Sequence, residues 1–175
     1  MKKNILVYGL IMGVVLSTFT VVSINYCYQT GNFDGSAVVG YAAMIAVFSF
    51  VFVGIRNYRD KFNEGVISFG EAFKMGLGIV FIASTLYVAT WLIYYHNFIP
   101  DFMDKYSEIA LTKAKASGVS QAQLDIQIAD IQSFKEMYKN PLVAIGFTYL
   151  EVFPVGLIIA LMSALILKRK SQVAV

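Results

Sequence analysis

Charge is what this sequence has least of. Lys, Arg, Asp and Glu make up 14% of the 175 residues, against 58% hydrophobic, whereas a soluble domain carries about a quarter charged residues. So few charges cannot clothe a water-facing surface, and the shortage makes sense if lipid covers much of the chain. Cysteine is nearly missing as well. Cys27 stands alone, which excludes an intrachain disulfide and leaves the redox compartment unread. The single histidine, His96, has no second His or Cys at ligand spacing, so no metal site is expected. There is no phosphate-cradling glycine loop, no nucleophile elbow and no paired-His motif. Nor does one half of the chain repeat the other in inverted order. An enzyme, a cofactor site and a nucleic-acid surface therefore have nothing to rest on.

What is present is four long uncharged runs. Crossing roughly 30 Å of hydrocarbon at 1.5 Å per residue takes about 18 residues or more. Residues 5–26, 37–55, 75–95 and 142–167 each meet that length. Glu151 is the one acidic or basic residue inside any of them. Hydrocarbon offers no partner for free N–H and C=O groups, so each run must be helical. Tyr26, Tyr28, Trp91, Tyr94 and Tyr95 fall near run ends, where amphipathic rings settle at headgroup level. Lys2 and Lys3 before the first run suggest a signal peptide, but the run is long and no small residue precedes Cys27 at a cleavage position, so the segment is expected to stay as an anchor. The chain reads as one membrane domain, 1–175.

Orientation follows from the basic residues. Lys2 and Lys3, then Arg56, Arg59, Lys61 and Lys74, then Lys168, Arg169 and Lys170 fall in three segments that four spans place on one side. Asp34 and the stretch from His96 to Pro141 fall on the other, where acids outnumber lysines. Both termini are expected in the cytoplasm. Arg56, Arg59 and Lys61 either fix this topology alone or also attract anionic lipid headgroups. Glu71 and Lys74, at i and i+3, read as an ion pair at the membrane edge.

Residues 100–140 are too long for a bare loop. Pro100 and Asp101 open a helical pattern that Phe102, Tyr106, Ile109 and Ala110 continue, with Gly118 as its stop. Ser120 and Gln123 form a capping box, and Leu124, Ile128, Ile131, Phe134 and Tyr138 carry a second stripe. Two amphipathic extracytoplasmic helices are expected, lying on the membrane surface or the helix ends, or docking a partner.

Glu151 is the candidate functional residue. It stands nine residues into the fourth run, about 13 Å along the helix. An ionised carboxylate there costs at least about 2.5–3.5 kcal/mol, which favours the neutral acid or a hydrogen-bonded place facing the bundle. No Lys or Arg lies at matching depth, so Thr18, Thr20, Tyr41, Thr85 and Tyr87 are the candidate neighbours. Pro154 removes the N–H that would bond the Leu150 carbonyl. The two residues read as a structural polar clasp, a proton- or ion-coupling site, or a substrate contact. Gly9, Gly13 and Ser17 recur every four residues on the first helix, as do Gly156, Ala160 and Ala164 on the last. Such seams let helix backbones approach closely, within the chain or between copies.

The stretch from Gly65 to Gly76, GVISFGEAFKMG, leads into a span that ends Trp91-Leu-Ile-Tyr-Tyr. Together with Ile99-Pro-Asp-Phe and the segment from Thr148 to Lys170, TYLEVFPVGLIIALMSALILKRK, it resembles DUF4199, a family of small bacterial membrane proteins common in the Bacteroidetes. The resemblance runs from Asn4 to Lys170. It implies a four-span protein of the bacterial inner membrane, and it brings no catalytic residues with it. Two functions follow as expectations. One is a non-enzymatic accessory or scaffold protein, with membrane lipid and either a second copy or another membrane protein as partners. The other is a small transporter or ion-coupled permease centred on Glu151.

Overall fold

The computed structural model describes residues 1–31, 36–116 and 118–169. Asp34 and Lys170, on which part of the orientation argument rests, lie outside them. Seven helices follow in order: α1 (Lys2–Thr30), α2 (Ser36–Phe48), α3 (Phe50–Phe62), α4 (Phe69–Asn97), α5 (Phe102–Ala116), α6 (Gln121–Tyr138) and α7 (Pro141–Leu167). Four segments are long and apolar enough to cross a membrane: Lys2–Thr30, Ala37–Phe62, Phe69–Asn97 and Pro141–Leu167. α1 shows why. It is crowded with β-branched residues from Val14 to Ile24, which weaken a helix in water. In hydrocarbon the need to satisfy every backbone group outweighs that preference. Gly31 ends α1 in the left-handed conformation, φ 67°.

The second span is interrupted, which the sequence reading did not anticipate. At Ser49 the N–H and the hydroxyl both bond the Ile45 carbonyl, at 3.0 and 2.7 Å. Phe52 N–H reaches back only three residues, to Ser49 O, at 3.2 Å. A serine hydroxyl competing for an i−4 carbonyl bends a helix in this way.

The chain forms two compact units. The first holds Met1–Trp91 and the chain from Tyr149 onward. α4 is its centre: Ala72, Met75, Ile79, Val80, Ala83 and Ser84 have no exposed surface. A Cβ on Gly9 of α1 would lie 2.7 Å from Ile82, and one on Gly13 would lie 2.9 Å from Leu86. Both contacts are too short for a side chain, so only glycine permits this approach of α1 to α4. On the other side of α4, a Cβ at Gly76 would lie 3.1 Å from Ala160, and one at Gly156 would lie 2.5 Å from Val80. These contacts run α4 parallel to α1 and antiparallel to α7. At one end, Ile67 and Arg169 exchange two backbone hydrogen bonds, 3.0 and 2.8 Å. Arg59 donates to the Leu167 carbonyl at 3.2 Å, satisfying an orphan group of the last turn of α7. Asn4 donates to Asn57 at 3.4 Å at the same end. Glu71 does not pair with Lys74. Its carboxylate accepts from the Ser68 N–H (3.0 Å) and hydroxyl (2.8 Å), while its own N–H donates to Ser68 Oγ, a reciprocal cap that opens α4.

The second unit holds Leu92–Thr148. Its core is aromatic: Met103, Tyr138 and Ala144 are buried, with Leu92, Tyr95, Phe102 and Phe134 packed against them. Tyr95 and Tyr138 meet edge to face at 5.5 Å, and Phe134 and Phe147 at 5.1 Å. The Ser120–Gln123 capping box opens α6, and Gly118 has φ 69°. Leu124, Ile128, Ile131 and Phe134 form the less exposed stripe of α6 and Tyr138 is buried. α5 corrects the sequence reading by one position. Its buried residues are Met103, Ser107 and Ala114, whereas Tyr106 is 48% exposed and stacks on Phe102. Small side chains on that face let α6 come close. Lys135 of α6 pairs with Asp104 of α5 across the joint.

Candidate functional site

α7 presents two distinct faces in the first unit. Val152, Gly156, Ala160, Ser163, Ala164 and Leu167 are buried. Leu150, Glu151, Pro154, Ile158, Leu161, Met162 and Leu165 are exposed. The helix runs through Pro154 without interruption. Glu151 therefore lies on the outer face. Of the two expected arrangements, a neutral acid or a hydrogen-bonded place facing the bundle, the second does not hold: Glu151 has no hydrogen-bond or ion-pair partner among the described residues. It stands sixteen residues before Leu167, roughly 24 Å from that end of the helix.

None of the hydroxyls expected around Glu151 serves it. Thr85 donates to the Phe81 carbonyl at 2.7 Å and lies 2.7 Å from the Tyr149 hydroxyl. The two hydroxyls share one hydrogen bond, in which either can donate. Thr18 and Tyr41 are exposed on other helices, and Tyr87 is buried on α4. Tyr149, absent from the sequence reading, thus links α7 to α4 just before Glu151. Its signal in the sequence was a phenol inside an apolar run, where a buried O–H needs a partner.

The interior of this unit is dry in character. Among the described residues no acidic or basic side chain is buried. The polar groups buried there include the Ser17, Ser84 and Ser163 hydroxyls, the Tyr87 phenol and the Trp91 indole; the hydroxyls of Ser17 and Ser84 have no hydrogen-bond partner. Gly9 and Gly13 turn against α4, and Ser17 is buried one turn further on. Gly156 turns against Val80 and Phe48, Ala160 faces Gly76, and Ala164 is fully buried. Both small-residue seams are thus consumed inside the chain. His96 is exposed, and no group of three or more His, Cys, Asp or Glu that could hold a metal occurs among the described residues.

A family model described as "Protein of unknown function (DUF4199)" matches residues 7–169. Neither a curated protein nor a solved structure matches the chain.

Proposed function

The chain belongs to the DUF4199 family, and from that premise we propose that it is a non-enzymatic accessory or scaffold protein of the bacterial inner membrane that assembles with another membrane protein. The observation that carries this reading is the place of Glu151. A carboxylate on the outer face of an apolar helix, without an intrachain partner, is costly in lipid and is relieved when another molecule covers it. A permease needs its polar groups to line a path through the bundle. Among the described residues of the first unit the buried interior holds no acidic or basic side chain, only serine hydroxyls, the Tyr87 phenol and the Trp91 indole. The proposed orientation keeps both termini in the cytoplasm. Its support is that the bonds from Asn4 to Asn57 and from Ile67 to Arg169 gather the basic segments at one end.

The test compares Glu151→Gln with wild type in two assays. Gln keeps the shape and much of the hydrogen bonding but cannot ionise. For an accessory protein, liposomes holding either form show no proton flux, and crosslinking from a photoreactive residue at Ile158 in cells yields an adduct with another membrane protein. Flux in wild type that Glu151→Gln abolishes at unchanged stability would sink the accessory reading in favour of transport. A monomer without adducts would leave it without support.

A further inference from the structure

The accessory reading names no partner, but the chemistry of the α7 face does, and the partner inferred from it rests on that reading. Leu150, Glu151, Pro154, Ile158, Leu161, Met162 and Leu165 recur at helical spacing along one exposed side of α7. This is the pattern of anchors that a second helix packs against. The stripe holds two polar groups, and both are acceptors. One is the Glu151 carboxylate. The other is the Leu150 carbonyl, whose usual i+4 donor is replaced by Pro154, a residue without an N–H. The neighbouring Thr85 and Tyr149 hydroxyls are engaged with the Phe81 carbonyl and with each other.

A second copy of this chain offers no mid-depth cation to such a face. No Lys or Arg occurs between Lys3 and Arg56, between Lys74 and Lys105, or between Lys139 and Lys168. The contacts of Gly76 with Ala160 and of Val80 with Gly156 set the α4–α7 register and bring Glu151 level with Thr85, far from both ends of the spans. Two copies joined through α7 would set carboxylate against carboxylate. The small-residue seams that favour close self-association are already used inside the chain. We propose that this face of α7 docks a transmembrane helix of a different protein, one that carries a lysine or arginine at mid-depth. The cation pairs with Glu151 and can share a proton with the Leu150 carbonyl, while its apolar neighbours seat on Ile158 and Met162. Each charge meets the other in a medium that solvates neither alone, so pairing selects this partner over an apolar helix.

The experiment uses the full chain, labelled at its N-terminus, in neutral phosphatidylcholine vesicles. The probes are leucine-rich transmembrane peptides of about 20 residues that carry Lys, Leu or Glu at the centre. Energy transfer measures association. The Lys peptide should bind about tenfold more tightly than the Leu peptide, the factor one interhelical hydrogen bond of ordinary strength confers. Glu151→Gln should bring the two peptides to within about threefold of each other. Glu151 is exposed, so the variant keeps its fold, and its melting temperature in detergent checks this. Two further variants, Ile158→Ala and Met162→Ala, should weaken both peptides alike. Equal binding of Lys and Leu peptides by wild type overturns the proposal, as does a preference that survives Glu151→Gln. Self-association that depends on Glu151 and ignores the Lys peptide also overturns it, yet leaves the accessory reading standing. Proton flux lost in Glu151→Gln overturns both.

Discussion

Gly156→Ala tests whether the approach of α7 to α4 depends on the absence of a side chain. A methyl at residue 156 would lie 2.5 Å from Val80 Cγ1 and 3.0 Å from both Val80 Cγ2 and Phe48 Cε1. Carbon atoms pack at about 3.5–4.0 Å, so the helices must part by about an ångström or Val80 must leave its rotamer. Val80 and Phe48 have no exposed surface, so neither can leave the contact without disturbing its packed neighbours. Overpacking of this kind costs about 1–3 kcal/mol, and the severity of the contact puts it near the upper end. Ala is better than Gly in a helix by about 1 kcal/mol, which leaves a net loss of about 2 kcal/mol. Gly40→Ala and Gly70→Ala supply the controls, since a Cβ at either position meets nothing within 4 Å. They should be neutral or stabilising by up to about 1 kcal/mol. Adding Val80→Ala to Gly156→Ala removes the clashing methyls, so the two changes together should cost at least about 1 kcal/mol less than their separate costs added. Reversible unfolding in mixed micelles reads these variants and the Val80→Ala single. Equal stability of Gly156→Ala and Gly40→Ala, or strict additivity with Val80→Ala, would refute the packing argument.

Two further outcomes are expected. The Lys135 ammonium is held above its ordinary value of 10.5, first by its hydrogen bond to Asp104 and then by the Asp104, Glu136 and Glu108 charges; a raised folded-state value contributes stability that is complete below the unfolded value and is lost as pH rises through the folded one. Amide exchange of α5 and α6 should therefore be slower in wild type than in Lys135→Met at neutral pH, and the difference should vanish in strongly alkaline buffer; a difference that grows with pH would contradict the sign. Val152→Glu adds a carboxylate one residue beyond the exposed Glu151, at a fully buried position, and loses several kcal/mol by burying an unpaired charge, whereas Glu151→Val should be tolerated. Comparable folded yields of the two in detergent would place the wrong face of α7 inward.

Most of the architecture was legible because one physical requirement governs membrane helices above all others. Backbone groups in hydrocarbon must bond internally, so each apolar run had to be helical, and helices long and apolar enough to cross a membrane cover all four runs. The helices at 102–116 and 121–138 were legible from local chemistry: Ser120 with Gln123 starts one, and Gly118 ends the region of the other. Two features were not. The interruption at Ser49 coincides with a hydroxyl that joins the N–H on the Ile45 carbonyl, and serine occurs equally in unbroken spans, as Ser84 and Ser163 do. The buried side of α5 turned on size, not hydrophobicity. Ser107 and Ala114 go inward because they let α6 approach, and Tyr106 is left outside. Glu71 shows a third kind of error: a charged neighbour at i+3 suggested an ion pair, but the unsatisfied amides at the start of α4 compete more strongly for that carboxylate.

The direction of Glu151 was in the sequence, and two readings of it were inconsistent. An α-helix turns about 100° per residue. On α7, Gly156, Ala160 and Ala164 therefore spread over about 80° and centre about 40° beyond Gly156. Glu151, five residues before Gly156, falls about 140° back from it and so about 180° from the centre of the seam. A close-packing seam and an inward carboxylate could not both hold on one rigid helix. The structure resolves the conflict in favour of the seam, because contacts as short as those at Gly156 exist only where the helix faces α4. α7 has no polar stripe to mark its outside, since the exposed side chains from Leu150 to Leu165 are apolar apart from this residue. On such a helix the small residues mark the inside, and a lone carboxylate opposite them marks the side turned to other molecules.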